Sequence, residues 1–417
     1  RRLGRYEEAV PLLVDVLEAR KADPDTDPEL LAQAYNHLGL AYWRLLRYDD
    51  AESALRASRR LREAADSPAA LAETANNLAV LLQSRQRDRE ALPLLEQALA
   101  LFEQALGPEH PRVASVLSNL AGTHERLDTW SQAEPLLRRA IALAEASFGR
   151  HHFQPLNPRT NLIQVLRIQH RHDEAYAEAQ HILDVAESLD DPLVLARALY
   201  TMGRSEWELE RPADAEASFG RCERLVAIEL GAEHLQARKC RVWRARALVF
   251  SGRVDVGLAR LHALAVRYAR DLPRHHRDRR DVAFALGVVT SRTGDSAAAI
   301  RHYTDYLDAV SEITPTRHRA IAHGRHALGV ALAEANDPRA AEVLRQALDG
   351  RIRQYGPEHP WVAESAFALG RLEKTRQNVD AACALFDQAS SIRRRWFRPD
   401  DPDRQAAEEA SAACPVE

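Results

Sequence analysis

The side chains able to do chemistry in this sequence point to binding. Asparagine recurs at Asn36, Asn76, Asn77, Asn119 and Asn161, close to a 42-residue period. Asn is a poor mid-helix residue, so its return in one register needs a reason. A carboxamide carries both donor and acceptor. It can pair with the backbone of an extended peptide, or with the Asn of a neighbouring repeat, and both readings stand. Further along, Arg197, Tyr200, Arg204 and Trp207 fall three and four residues apart, as do Lys239, Trp243 and Arg246. That spacing stacks side chains on one helix face. A wall of cations and aromatics suits an acidic segment of another protein, held by charge-assisted hydrogen bonds and apolar burial. The plain alternative is that Arg is the ordinary surface cation here, since 54 of the 57 basic residues are Arg, and that Trp243 belongs to the core.

Catalytic patterns are missing. There is no glycine-rich phosphate loop, no Gly-x-Ser-x-Gly and no His-Glu-x-x-His. His151-His152 and His275-His276 are adjacent pairs that point apart and lack a third ligand, so no metal site is expected. Cys222, Cys240, Cys383 and Cys414 show no metal-like spacing and read as thiols in a reducing compartment, with the cytoplasm as the expected location. The run from Arg267 to Arg280 is rich in Arg, but it has few aromatics to stack bases and the net charge is −4, so it reads as a solvated linker before a nucleic-acid site. No 18 consecutive residues are apolar, so no membrane span is expected. Neither an enzyme nor a cofactor is implied.

The elements that position these side chains follow from internal repetition. The series Gly39, Ala79, Ala121, Ile163, Gly203, Ala245, Gly287, Gly329, Gly370 has gaps of 40 to 42 residues. Twelve residues after each stands Ala51, Ala91, Ala133, Ala175, Ala215, Gly257, Ala299, Ala341 or Ala382. Small residues in two locked registers let paired helices approach closely. Four residues after the second series comes a large side chain in most units, as in Leu55, Leu95, Leu137, Phe219, Leu261, Tyr303 and Phe386. Gly and Pro mark the linkers near 67, 107, 149, 191, 231, 273, 315 and 356, where helices must stop. Ile163 and Gly257 depart from the pattern and predict local adjustment of packing.

Residues 74–81 (Thr-Ala-Asn-Asn-Leu-Ala-Val-Leu), the linker Gly107 to Pro111, the stretch Ser118 to Ala121 and the second linker Gly356 to Pro360 resemble the tetratricopeptide repeat family, in the long 42-residue form of kinesin light chains and many bacterial proteins. The resemblance covers about residues 1–398. It implies an all-α, right-handed α-solenoid superhelix of about nine helix-pair repeats plus an N-terminal half-repeat, with first helices on the concave side. Residues 1–20 read as the orphan second helix of a truncated repeat, which predicts further sequence upstream. Residues 29–398 hold the nine pairs, and 399–417 a polar tail or capping helix. The expected function is a protein–protein interaction scaffold that holds an extended, acidic peptide, from a partner or from its own upstream region. The alternatives are a regulatory or sensor region of a larger bacterial protein, such as a serine/threonine kinase or transcription regulator, and nucleic-acid binding through 267–280.

Overall fold

The structure is a computed structural model that describes the backbone of residues 2–127, 129–313 and 319–415 and the side chains of 6–127, 129–313 and 320–415. It divides into two compact units, Arg1–Val165 and Leu166–Glu417. The first holds α1 (Arg2–Ala22), α2 (Pro28–Arg44), α3 (Tyr48–Ala64), α4 (Pro68–Ser84), α5 (Asp88–Leu106), α6 (Pro111–Arg126), α7 (Trp130–Phe148) and most of α8 (Leu156–Ile168). The second holds α9 (His172–Ser188), α10 (Pro192–Glu208), α11 (Pro212–Leu230), α12 (Leu235–Phe250), α13 (Val254–Asp271), α14 (Arg277–Arg292), α15 (Ser296–Ser311), α16 (Arg319–Glu334), α17 (Ala340–Tyr355), α18 (Pro360–Thr375), α19 (Val379–Trp396) and α20 (Pro402–Ala412). No strand occurs among the described residues. The fold is an all-α array of helix pairs, preceded by α1. The linker expected at Pro315 lies outside the described residues.

Successive helices pack antiparallel as pairs, and first helices of neighbouring pairs also touch: α2 with α4, α4 with α6, α12 with α14, α16 with α18. Close approach within each pair sets this geometry. A Cβ placed on Gly203 would lie 2.9 Å from the Phe219 ring, on Gly287 2.5 Å from Tyr303, and on Gly370 2.8 Å from Phe386. The large side chain of each second helix therefore fills the space left by the missing side chain of the first. Ile163, which stands where other units carry a small residue, is fully buried on α8, and Ala179 is fully buried on α9. Gly257 is needed for approach as well, since its Cβ would sit 2.6 Å from Val249 Cγ2.

Turns obey the same period. Seven residues after eight of the nine positions of the first series the chain is left-handed, at Leu46, Gln86, His170, Glu210, Gly252, Gly294, Asn336 and Gln377. Second helices end on left-handed glycines at Gly107, Gly149, Gly231 and Gly356. Histidine starts several helices: the Nδ1 atoms of His110, His234, His276 and His359 accept from the main-chain N–H two residues on, at 3.1–3.2 Å. His152 does the same to Gln154. So His152 and His276, one of each adjacent pair, serve the backbone.

The cysteines depart from the sequence reading. Cys222 and Cys240 form a disulfide between α11 and α12, and Cys383 and Cys414 form one that ties the end of α20 to α19. Helix pairing brings residues 18 and 31 positions apart into contact, which spacing alone does not reveal. Disulfides persist in oxidising compartments, so the cysteines lend no support to a reducing one. No described helix is long and apolar enough to cross a membrane.

Gly287→Ala should lower stability by about 1–3 kcal/mol, because Tyr303 is a packed ring that must move. Gly122→Ala should be neutral or stabilising by up to about 1 kcal/mol, because its Cβ meets nothing nearer than Arg126 Nη1 at 3.5 Å. Urea unfolding of both variants checks the contrast. A second prediction concerns acid. Burial and the Arg351 charge push His359 down to about 4, from an ordinary value near 6.5. A lowered base pKa gives stability that is complete above about pH 6.5 and lost as pH falls through about 4. The share of His359 is at most about 3 kcal/mol. His359→Asn keeps a capping oxygen without titrating there, so its melting midpoint should fall less than the wild type's between pH 7 and pH 4.

Candidate binding groove of the second unit

Four first helices, α10, α12, α14 and α16, supply most of the wall of a groove of about 450 Å³ in the second unit. From α10 come Tyr200, Arg204, Trp207 and Glu208, and from α12 Arg238, Lys239, Val242, Trp243 and Arg246. Asp278, Asp281 and Phe284 of α14 and His323 of α16 continue the wall, with Tyr306 of α15 beside them. The helices present these residues because opposite faces are consumed by pairing: Ala196, Leu199, Met202 and Gly203 of α10 are buried, as are Ala237, Cys240, Ala245 and Leu248 of α12.

Aromatic rings and guanidinium groups interleave along the groove. Trp207 meets Trp243 edge-on at 5.7 Å and Phe250 at 4.7 Å. The Arg204 and Arg246 guanidinium carbons each lie 4.1 Å from the Trp243 ring centre, and Arg246 lies 4.9 Å from that of Trp207. Cation–π contact over indole is the most favourable of its kind. It does not neutralise charge. Arg246 makes no ion pair or hydrogen bond with the described residues, and its Nε is buried without a partner. Burial, with repulsion from Arg204, pushes its pKa down to about 10, which still leaves it charged at neutral pH. Lys239 makes no ion pair within 4 Å among the described residues, although its charge reaches Asp281.

The other cations of the groove are answered. Arg238 Nε lies 3.0 Å from Asp278 Oδ2, and Arg277 Nε 3.6 Å from Asp281 Oδ2. Arg167 pairs with Glu208, which Arg204 approaches at 3.8 Å. Burial opposes ionisation of Glu208, but the two arginines outweigh it and hold the carboxyl below its usual range. Burial raises Asp281 despite Arg277. The groove thus contains paired charges at its edges and an unanswered cation over two tryptophans.

The sequence candidates divide. Tyr200, Arg204, Trp207, Lys239, Trp243 and Arg246 line this groove together, whereas Arg197 is exposed on α10 and is not part of the wall. In the first unit Asn77 Nδ2 donates to Asn36 Oδ1 at 3.1 Å and Asn119 Nδ2 to Asn76 Oδ1 at 2.8 Å. These are bonds between neighbouring repeats, with Asn36 buried; Asn161 is half-buried on α8. The Arg267–Arg280 run is largely neutralised in place: Arg267 meets Glu233 at 2.9 Å, Arg270 meets Asp271 at 2.7 Å, and Arg274 meets Asp308 at 3.0 Å. Asp281, Phe284 and His323 were not singled out from sequence. The period would have found them: Arg197, Lys239, Asp281 and His323 stand 42 apart, and so do Tyr200, Val242 and Phe284.

Tetratricopeptide repeat profiles match residues 1–64, 70–146 and 155–226, and another matches 321–360. The chain belongs to the tetratricopeptide repeat family. No curated protein matches it. Among solved structures it resembles the apo form of RapI, at 12% identity over 84% of this chain and 96% of that one, with a TM-score of 0.58. It also resembles a Rap protein complexed with Competence and Sporulation Factor, at 11% identity over 95% and 98%, with a TM-score of 0.51. BtubC (BKLC) from P. vanneervenii matches at 20% identity over 54% and 92%, with a TM-score of 0.49. At these identities the likeness is one of fold. The tetratricopeptide array explains why groove residues keep a 42-residue period, since each repeat lends one first helix to the wall.

A half-buried, unpaired charge costs stability, so Arg246→Met, which keeps the stem on the tryptophans, should leave the unfolding midpoint unchanged or raise it. Glu208→Gln should lower it by about 2 kcal/mol, because Arg167 then loses its buried partner. Guanidinium chloride unfolding of the two variants checks the opposite signs.

Proposed function

We propose that this tetratricopeptide repeat protein is a protein–protein interaction scaffold, and that the second-unit groove takes an extended acidic segment of its partner. The observation that carries the reading is Arg246, an uncompensated cation held over Trp207 and Trp243. An aspartate or glutamate carboxylate would supply the missing counter-charge, in a place where the local dielectric makes a charge-assisted bond strong. The indole faces would take the apolar part of the same segment. Lys239, two turns toward the start of α12, would meet a second acid. A Rap protein of this fold is complexed with Competence and Sporulation Factor, which supports an array of such helices as a holder of a second molecule. The Asn ladder spends its amides between repeats, so the first unit enters this reading as a stiff support.

Selection from a displayed peptide library, followed by tryptophan fluorescence titration, tests the proposal. Enriched peptides should be rich in Asp and Glu, and their affinity should fall as salt rises. Arg246→Met should weaken them by about 2 kcal/mol or more, at least roughly tenfold. Trp243→Ala should weaken them as well. Selection of neutral or basic peptides, or binding indifferent to both variants, would sink the reading.

A further inference from the structure

The two ends of the second unit meet. His170 lies in the left-handed turn between α8 and α9, and its ring stacks on Phe397, just past α19, with centroids 3.9 Å apart. Arg398 pairs with Glu174 of α9. His170 Nδ1 lies 3.7 Å from Asp401 Oδ2 and 3.9 Å from Asp403 Oδ2, at the start of α20. These residues are more than 220 positions apart in the chain, so each contact closes a long loop.

We infer that His170, Asp401 and Asp403 form a site for a divalent transition-metal ion of the zinc class, which fastens the two ends of the second unit together. The three ligand atoms lie within 4.8 Å of one another. His170 Nδ1 is too far from either carboxylate for a hydrogen bond. It is at about the spacing of two ligands that share an ion roughly 2 Å from each, after a contraction of a few tenths of an ångström. One imidazole nitrogen with two carboxylate oxygens favours zinc, cobalt or nickel over calcium, which takes oxygens alone. Three protein ligands leave positions for water.

Each ligand is already oriented. Asp401 Oδ1 caps α20, accepting from the N–H groups of Asp403 at 2.9 Å and Arg404 at 3.1 Å. That turns Oδ2 toward His170. Phe397 fixes the plane of the imidazole. Asp403 has no other partner for its side chain among the described residues. Arg393, which is buried and lies 4.6 Å from the Phe367 ring centre, gives its Nη1 proton to the main-chain oxygen of Asp403 and interacts with both carboxylates. It offsets one of the two carboxylates and leaves the other to favour a cation. His172 stands behind His170, with ring centres 5.1 Å apart and a buried, unpartnered Nδ1. The absence of a local ligand motif, which led to the expectation of no metal, says nothing about ligands brought together from opposite ends of a unit.

The full chain, stripped with chelator, is titrated with zinc by calorimetry and with cobalt by visible absorption. One ion per chain should bind, with a cobalt d–d band, and zinc should raise the melting midpoint by joining distant segments. Asp401→Asn/Asp403→Asn keeps the helix cap and the volume, and circular dichroism establishes that it stays helical. That variant and His170→Ala should each abolish the one-to-one event, the band and the thermal shift. His275→Ala, on an exposed histidine elsewhere, should abolish none of them. Binding that survives the double variant, a weak isotherm of many sites, or no binding at all would each overturn the inference.

Discussion

The structure depends on the close approach of two helices at one point per repeat. A small residue on the first helix meets a large side chain from the second, and an Ala or Gly four residues earlier lets the backbones close. Gly203 with Phe219, Gly287 with Tyr303 and Gly370 with Phe386 are the same contact repeated. Once that contact fixes the rotation of each first helix, its remaining faces have no freedom. One must pack on the neighbouring pair, and one must face the wall shared by successive first helices. The positions 197, 239, 281 and 323 share a register because of this rotation, and so do 200, 242 and 284. A binding surface in such an array is a consequence of packing elsewhere.

The groove of the second unit leaves Arg246 without an ion pair among the described residues. Most charges that the fold buries are answered: Arg62 reaches Glu29 and Thr74, Arg351 reaches Glu364, and Arg159 reaches Glu145. Arg246 is treated differently. It lies over two indole rings, and Glu208, the acid whose charge reaches it, is occupied by Arg167. Removing a charge from water without a partner is unfavourable, and a ring quadrupole offsets only part of that cost. A fold under no demand but stability would place Met or Leu there.

The repeat was legible because it rests on residue size at fixed spacing, which a sequence displays directly. Gly39, Gly203, Gly287 and Gly370 announce close approach, and Gly-Pro linkers announce where helices stop. The groove was partly legible for the same reason. Helical spacing gathered Tyr200, Arg204 and Trp207 on one face and Lys239, Trp243 and Arg246 on another. It could not tell which arginines are paired, because Glu208, Asp278 and Asp281 belong to other turns or other helices. The disulfides and the His170 cluster were illegible, since their partners meet only through tertiary packing.

The two units use polar chemistry in opposite ways. The first unit turns its amides on itself: Asn36 with Asn77, Asn76 with Asn119, and Gln83 with Thr123 form bonds from each repeat to the next. A carboxamide ladder is neutral, so it can be half-buried and satisfied without any outside partner. Its natural product is rigidity. A guanidinium cannot be satisfied by another guanidinium, and stacking beside Arg204 on the same indole leaves Arg246 without an anion. The same period thus yields a self-completing wall where it carries Asn and an incomplete one where it carries Arg and Trp. Incompleteness, more than exposure or volume, distinguishes the second wall from the first.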